Sequence, residues 1–336
     1  MTLDLTTTAS IGAVMLASLM WGSWFVCLKH LRGYPLDAFF LTMMAVSLIL
    51  VWTLALTLEG SALPDNMAAV FRQEPSRVVA PFICGFLFAL GMRLSLRVQT
   101  MIGLALTQPM QLSVIILVGT WLSGVLGGLP EGIQIGDLVA ACLLLIGAVV
   151  FGMLAAVFRN HGQSIHGPGK GGDGAARGTT LQAVMLATAA GTLIPAYAAG
   201  LSHGLGTVLR PHGLTVLGCM TLLVSGGFLA ALMSSGRALR NEGLWHVLAT
   251  ARPSTHGLGA MAGLCHYGGN VIYAFASVHI STVVAWPLGL TSGLWTELWG
   301  LAYGEFRGAP RRAYVCLFAA MGLYLAGALL VGRALY

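Results

Sequence analysis

Apolar and polar positions alternate along the chain in long blocks, with ten apolar runs separated by mostly short polar stretches. A helix needs about 20 apolar residues to cross the hydrocarbon core of a bilayer, so each run predicts a transmembrane helix. The runs cover residues 10–29, 36–58, 78–98, 101–126, 135–158, 181–202, 212–235, 256–278, 281–304 and 312–333. The pattern therefore predicts an all-α membrane protein with ten transmembrane helices.

A polar stretch at residues 159–180 divides the predicted helices into two groups of five, residues 1–158 and 181–336. It is rich in glycine and has no hydrophobic period, which is typical of a flexible linker. Lys170 invites comparison with a phosphate-binding loop, but Gly171 follows it where that motif needs Ser or Thr. We therefore expect a flexible cytoplasmic linker between two five-helix repeats.

Internal similarity supports this division. The segment AVMLAS at 13–18 recurs as AVMLAT at 183–188, and a Gly-to-Pro spacing of 18 residues ends at Pro109 in one half and at Pro287 in the other. Because each half has an odd number of helices, the two halves must enter the membrane with opposite orientations. Inverted repeats with a central site where they meet are typical of transporters that work by alternating access.

Composition and charge exclude several other classes of protein. Hydrophobic residues make up 57% of the chain and charged residues 8%, against about 25% in soluble domains. The net charge of +6 is scattered between apolar runs and forms no continuous basic face, so we expect no nucleic-acid partner. The six cysteines lie singly in apolar runs and indicate neither disulfides nor a metal site. No cofactor is expected, and no catalytic constellation supports an enzyme.

The distribution of Lys and Arg predicts the orientation. Of the 17 basic residues, 13 fall in the odd-numbered loops. Because cytoplasmic loops carry an excess of Lys and Arg, these loops are predicted to be cytoplasmic and both termini to lie outside. We expect a multi-pass protein of a bacterial inner membrane.

Two segments carry a resemblance to a known family. Residues 21–40 (WGSWFVCLKHLRGYPLDAFF) resemble the first hairpin of rhamnose, glucose/ribose and ureide carriers, and residues 263–306 resemble their helices 8 and 9 up to a terminal Gly-Glu. These carriers belong to the drug/metabolite transporter superfamily, whose ten-helix members are two inverted five-helix repeats. The resemblance implies secondary transport of a sugar-like solute. The chain departs from the sugar carriers at Arg93 and Arg97, where a Gly-Asn pair is typical, and at His266-Tyr267, where Trp is common.

Polar residues within predicted helices are candidate site residues, because such groups are costly in lipid unless they are paired or face a wet cavity. His266 lies roughly 16 Å into its helix, near the midplane, and Asn270 and Tyr273 follow on the same face. Together they offer donors and acceptors for a polar solute. The alternative for His266 is a structural hydrogen bond to a neighbouring helix.

Arg93 and Glu297 lie at matching depths, roughly 22 and 24 Å from the same side, in opposite repeats. They are therefore candidates for a gate that breaks as the carrier opens, and Glu297 for proton loading. The alternative is that Arg93 and Arg97 extend to the headgroups while Glu297 reaches water. Lys29 and Glu305 lie at helix ends and are expected to act as anchors.

Further candidates for the substrate-binding site lie beside prolines, which free a backbone carbonyl that must be buried in protein or line a cavity. They are Thr107, Gln108 and Gln111 near Pro109, Thr192 and Tyr197 near Pro195, and Trp286 beside Pro287. Trp24 is a candidate for a different reason, because its ring, like that of Trp286, could stack on the apolar face of a solute ring. The glutamines could instead link helices, and the tryptophans could be interfacial anchors.

These observations favour a permease for a small polar organic solute, a sugar or sugar-like metabolite. Symport with protons through Glu297 or His266 is a hypothesis. The alternatives are an exporter of amphiphilic drugs or metabolites, a non-transporting membrane scaffold or sensor, and an intramembrane transferase. The expected partners are the solute, membrane lipid and protons. A monomer is sufficient because both repeats lie in one chain, and a dimer is compatible.

Overall fold

The computed structural model describes residues 6–102, 104–129, 132–164, 173–207 and 212–333, with side chains omitted at 100, 102, 104–110, 160–164 and 173–181. Within these ranges the protein is all-helical, apart from an isolated bridge between Leu205 and Leu214. The α-helices are α1 (Thr7–Ser23), α2 (Leu36–Leu58), α3 (Ala62–Gln73), α4 (Ser76–Ile102), α5 (Leu104–Gly127), α6 (Ile135–Ser164), α7 (Asp173–Leu193), α8 (Ala196–Gly204), α9 (Val216–Ala231), α10 (Arg237–Asn241), α11 (Val247–Thr250), α12 (Pro253–Ile280), α13 (Thr282–Gly289), α14 (Ser292–Ala302) and α15 (Arg311–Arg333). A 3-10 helix, Trp24–His30, continues α1, and a π-helix, Leu232–Gly236, continues α9.

Among the described residues, seven helical stretches are long and apolar enough to cross a membrane. They are Thr7–His30, Leu36–Leu58, Ser76–Gln99, Ile135–Arg159, Gln182–Gly204, Val216–Asn241 and Arg311–Arg333. The structure therefore has the helices of a multi-pass membrane protein, and each stretch overlaps a segment predicted from the sequence.

The other three predicted segments coincide with helices outside this group. Segment 101–126 falls on α5, of which Gln111–Gly127 is a shorter apolar helix. Segment 256–278 falls on α12, which is long but carries polar side chains such as His266 and Asn270. Segment 281–304 is divided between α13 and α14, because the chain leaves helical geometry after Gly289.

Two helices are interrupted near prolines that the sequence analysis singled out, Pro195 and Pro287. α7 ends at Leu193 and α8 begins at Ala196, with Pro195 as the residue before α8. Pro287 lies inside α13, shortly before the interruption that precedes α14. Because proline has no backbone N–H, it cannot complete the hydrogen bonding of a continuous helix.

The non-helical segment between the two halves is shorter in the structure than the linker predicted at residues 159–180. α6 continues to Ser164, and α7 begins at Asp173. Residues 165–172, which include Lys170 and Gly171, lie outside the described residues. Glycine content alone therefore overestimated the length of the non-helical segment, because both flanking helices continue into it.

The two halves are packed together along their length. α6 packs against α15, α4 against α9, and α1 and α2 against α12. The α4–α9 contact depends on glycine: a Cβ at Gly85 would lie 1.9 Å from the carbonyl oxygen of Leu223, and a Cβ at Gly226 would lie 1.9 Å from that of Phe82. Small residues allow such close approach of membrane helices.

The chain order defines two ends of the molecule. The end of the 3-10 helix, the 31–35 connection and the start of α2 lie at one end, which we call the Lys29 end. The end of α2 and the start of α4 lie at the other, which we call the Glu59 end.

A candidate solute-binding cavity

A cavity of about 90 Å³ lies between elements of the two halves. One water molecule needs at least roughly 10–15 Å³, so the space holds several waters or a small organic group. It is lined by Trp21, Trp24, Phe25, Phe88, Met92, Ser95, Gln111, Leu112, Ile115, Ile194, Tyr197, His266, Asn270, Trp286, Leu290 and Ser292. None of these lining residues is Asp, Glu, Lys or Arg. The lining therefore suits an uncharged molecule.

An aromatic cluster forms one wall of the cavity. The ring of Trp21 lies 6.4 Å from that of Tyr197, 5.1 Å from that of Tyr273 and 6.4 Å from that of Trp286, measured between centroids. The Tyr197 and Trp286 rings are 6.2 Å apart. The rings of this cluster come from α1, α8, α12 and α13, so the wall exists only when both halves are assembled.

His266 lies in a second aromatic contact at the same cavity. Its ring is 5.5 Å from Trp24 and 5.8 Å from Phe88, and it stacks on Tyr267 at 5.5 Å. Trp24 belongs to the 3-10 helix and Phe88 to α4, so three elements meet at the imidazole. The Nδ1 atom of His266 is buried and has no hydrogen-bond partner among the described residues.

Two buried amides complete the polar part of the lining. Ser95 donates a hydrogen bond of 2.6 Å to Oε1 of Gln111, which fixes the orientation of that amide. Nε2 of Gln111 and Nδ2 of Asn270 have no partner within the described part of the chain. A buried N–H donor without a partner costs free energy, so both groups are candidates to donate to a bound solute.

Two other polar groups at the cavity, the Tyr197 hydroxyl and the Trp286 indole, are hydrogen-bonded within the protein. The Tyr197 hydroxyl donates to the backbone carbonyl of Asn270 at 3.0 Å, and Nε1 of Trp286 donates to the carbonyl of Ile115 at 3.0 Å. Each of these bonds joins two elements that line the cavity. They therefore fix the positions of the Tyr197 and Trp286 rings. Among the described lining residues, Nε2 of Gln111, Nδ2 of Asn270, Nε1 of Trp21 and Nδ1 of His266 have no partner and can bond to a solute.

Most of the substrate-binding residues predicted from the sequence meet at this cavity. Trp24, Gln111, Tyr197, His266, Asn270 and Trp286 all line it. Tyr273 is fully buried behind Trp21, outside the lining. Thr192 is exposed and does not line this cavity, and its hydroxyl donates to the carbonyl of Ala189 in its own helix at 2.9 Å. The side chains of Thr107 and Gln108 lie outside the described residues.

Arg93 does not pair with Glu297. Its Nε donates to Oδ1 of Asp37 at 2.7 Å and to the hydroxyl of Ser235 at 2.9 Å. α4, which carries Arg93, packs mainly against α7, α8 and α9, whereas α14, which carries Glu297, packs against α1 and α15. Equal depth in the membrane placed the two residues at one level but could not place them on adjacent helices. The pairing inferred from depth is therefore wrong.

Glu297 lies on α14 in apolar surroundings. Its Oε2 is buried and has no hydrogen-bond partner among the described residues. The carboxylate faces α6, since a Cβ added at Gly152 would lie 2.6 Å from its Oε1. Ser292, which lines the cavity, is five residues earlier on the same helix.

Lys29 and Glu305, predicted to be anchors, form an ion pair with each other. Arg159 also binds Glu305, with 3.1 Å between Nη1 and Oε2. The charged group therefore joins the end of the first membrane-spanning stretch, the end of α6 and the turn after α14.

Several lining residues escaped the sequence analysis as site residues. Phe88, Met92 and Ser95 lie on α4 at spacings of four and three residues, so they share a face. Their spacing indicates a common helix face, but membrane helices generally carry apolar stripes, so the spacing alone does not identify a cavity wall. Asp37 was also missed, because nothing local to it indicates that Arg93 lies opposite.

Comparisons with known proteins bear on the fold alone. No family model and no curated protein matches the chain. One similar solved structure, described as "Crystal structure of protein", shares 14% sequence identity and has a TM-score of 0.58. The match covers 96% of this chain and 96% of that chain. The overall arrangement of helices therefore occurs in another protein.

Proposed function

We propose that the protein is a secondary transporter of a small, uncharged polar organic solute with sugar-like chemistry. The observation that carries this proposal is the cavity between the halves, in which aromatic rings surround unpaired amide donors and no charged side chain is present. Aromatic faces pack on the C–H face of a sugar ring, and amides hydrogen-bond to its hydroxyls. Binding sites for small molecules are typically apolar pockets with a few placed polar groups.

The proposed mechanism is alternating access between two inverted five-helix repeats, with ten membrane-crossing helices in total. The lining comes from α1, the 3-10 helix, α4 and α5 of one half and mainly from α8, α12, α13 and α14 of the other. Interrupted helices at α7–α8 and α13–α14 border the cavity, as expected for the site of such a carrier. This architecture is that of the drug/metabolite transporter superfamily.

In the proposed orientation, the odd-numbered loops and the Lys29 end face the cytoplasm of a bacterial inner membrane, and both termini lie outside. Proton symport through Glu297 or His266 is part of the proposal. Glu297 supports it as an unpaired carboxylate within a membrane helix, because ionisable groups in such positions commonly serve in ion pathways. Solute flux into vesicles that ignores an imposed pH gradient would refute the coupling.

A solute-dependent thermal shift tests the binding site. A ligand that binds only the folded protein at 100 times its Kd stabilises it by about 2.7 kcal/mol. We expect neutral monosaccharides to raise the Tm of the detergent-purified protein and of Thr192→Ala, whose side chain lies outside the cavity. Asn270→Ala and Gln111→Ala should lose the shift. Equal shifts in all four proteins would place the site elsewhere.

The second candidate is an exporter of amphiphilic compounds. The specific observation that favours it is the predominance of aromatic and aliphatic side chains in the lining, including Met92 and Leu112. Stabilisation by lipophilic cations alone, with no response to sugars, would support this candidate. A membrane scaffold or sensor predicts no solute flux, and a transferase predicts a covalent product.

A further inference from the structure

The Lys29 end carries a network of charged groups that crosses between the two halves. Glu305, from the second half, accepts hydrogen bonds from Lys29 of the first half and from Arg159, which lies in α6 just past the end of that half. The Lys29 ammonium also lies 4.6 Å from the centre of the Tyr303 ring. The three charged side chains are partly shielded from water, with exposed fractions of 27% for Lys29, 26% for Glu305 and 14% for Arg159.

The 3-10 helix Trp24–His30 connects this network directly to the cavity. Trp24 and Phe25 at its start line the cavity, and Lys29 at its end binds Glu305. His30 is held as well, with 3.0 Å between its Nε2 and the Tyr303 hydroxyl. Its hydrogen bonds have poorer geometry than those of an α-helix, so its position depends on the contacts at its two ends.

A second network at the same end also crosses between the halves. Asp37 accepts hydrogen bonds from Arg93 and from the hydroxyl of Ser235, and Arg93 follows Met92 of the cavity lining. The ion pair of this network lies within the first half, and the hydroxyl of Ser235 links it to the second half beside the cavity.

The Glu59 end is joined differently. Thr215 donates to the Glu59 carboxylate at 2.8 Å, and its backbone N–H donates to Oδ1 of Asn66 at 3.0 Å. The hydroxyls of Ser202 and Thr282 are 2.6 Å apart. Thr215 therefore links the halves through neutral donors, whereas Ser202 and Thr282 join α8 to α13 within the second half. An ion pair that joins the halves at this end, Asp137 with Arg333, is more open to water than the Glu305 network, because the Arg333 side chain is 74% exposed.

We propose that Lys29, Arg159 and Glu305 form a gate that closes the cavity at the Lys29 end by holding the 3-10 helix in place. When the ion pairs separate, the 3-10 helix moves away from α14 and opens the wall formed by Trp24 and Phe25. Partly shielded ion pairs suit a reversible gate, because the gain from pairing is offset by the hydration that the separated groups recover. This gate rests on the proposed alternating access.

Cys27 provides a native reporter of the gate. It lies within the 3-10 helix, two residues before Lys29, and is 8% exposed. Cys219, on α9, is fully buried and serves as the internal control for unfolding. The rate of maleimide modification at each cysteine is measured by mass spectrometry on the purified protein in detergent, without solute.

Glu305→Gln is expected to raise the modification rate of Cys27 roughly tenfold, as the loss of one charge-assisted hydrogen bond would. Arg159→Gln, which leaves Lys29 paired, should give a smaller rise. The matched control is Asp137→Asn, because Asp137 also forms an ion pair between the halves, with Arg333, away from the 3-10 helix. It should leave the Cys27 rate unchanged, and Cys219 should stay unmodified throughout.

An unchanged Cys27 rate in Glu305→Gln would overturn the gate, as would an equal rise in Asp137→Asn. If Cys219 is also modified in Glu305→Gln, that variant has unfolded. The test then rests on Arg159→Gln, in which an unchanged Cys27 rate would overturn the gate. Because labelling is measured without solute, its result is independent of the thermal-shift and flux assays. A failure of the gate is therefore distinguishable from a failure of the proposed transport.

Discussion

Removal of the Asp37 carboxylate should destabilise the protein by about 3 kcal/mol. Asp37 accepts from Nε of Arg93 at 2.7 Å and from the hydroxyl of Ser235 at 2.5 Å, and its side chain is 19% exposed. A hydrogen bond to a charged group contributes about 1.5–3 kcal/mol. In Asp37→Ala both bonds are lost and the guanidinium of Arg93, 13% exposed, is left without its counter-ion. Its bond to the Ser235 hydroxyl remains and offsets part of the loss.

Asp137→Ala is a closely matched control for this substitution. Both aspartates lie in the first turn of a long helix, α2 or α6, so both changes remove the same favourable interaction with the helix dipole. The partner of Asp137 is Arg333, which is 74% exposed and 3.4 Å away. An exposed pair contributes about 0–1 kcal/mol, so Asp137→Ala should cost far less than Asp37→Ala.

The free energy of unfolding can be measured by reversible titration with sodium dodecyl sulfate in mixed micelles. A double-mutant cycle with Arg93→Met should give a coupling energy of about 2 kcal/mol between Asp37 and Arg93. Equal destabilisation by Asp37→Ala and Asp137→Ala, together with a coupling energy near zero, would refute the reasoning.

Three further predictions concern a strained residue, a close helix contact and a pH-dependent ion pair. Ser281→Gly should stabilise the protein by about 1 kcal/mol, because Ser281 has φ 68° and ψ 144°, a backbone conformation that glycine adopts without strain. A loss of stability in this variant would contradict the prediction. Gly226→Ala should lower the free energy of unfolding by about 2–3 kcal/mol, because the added Cβ would lie 1.9 Å from a carbonyl oxygen of α4. The control is Gly322→Ala, whose Cβ meets nothing within 4 Å and should not destabilise the protein. Equal losses of stability in the two variants would refute the argument. The hydrogen bond from Arg77 holds the pKa of the Glu74 carboxyl below its ordinary value, so its stabilising effect is present at neutral pH and lost as pH falls through the lowered pKa. Glu74→Gln should therefore lose less Tm than the parent between about pH 5 and about pH 3, and an equal loss in both proteins would show that this contact is not responsible.

The candidate cavity shows how far sequence reasoning reaches. Polar groups are costly in lipid, and this argument singled out His266, Asn270 and Gln111, which all line the cavity. It also singled out Thr192, which lies outside the lining, because a threonine hydroxyl can form its hydrogen bond within its own helix.

The sequence by itself determined that the chain forms apolar helices, where most of them begin and end, and which polar groups lie within them. These properties follow from local composition and from the length of helix that a bilayer requires. Only the tertiary structure decided that Arg93 binds Asp37, that Glu297 faces α6, and that Trp21, Tyr197, Tyr273 and Trp286 form one cluster. Hydropathy and depth fix the position of a residue along its own helix, but they carry no information on which helix packs beside it, and pairing depends on that neighbour.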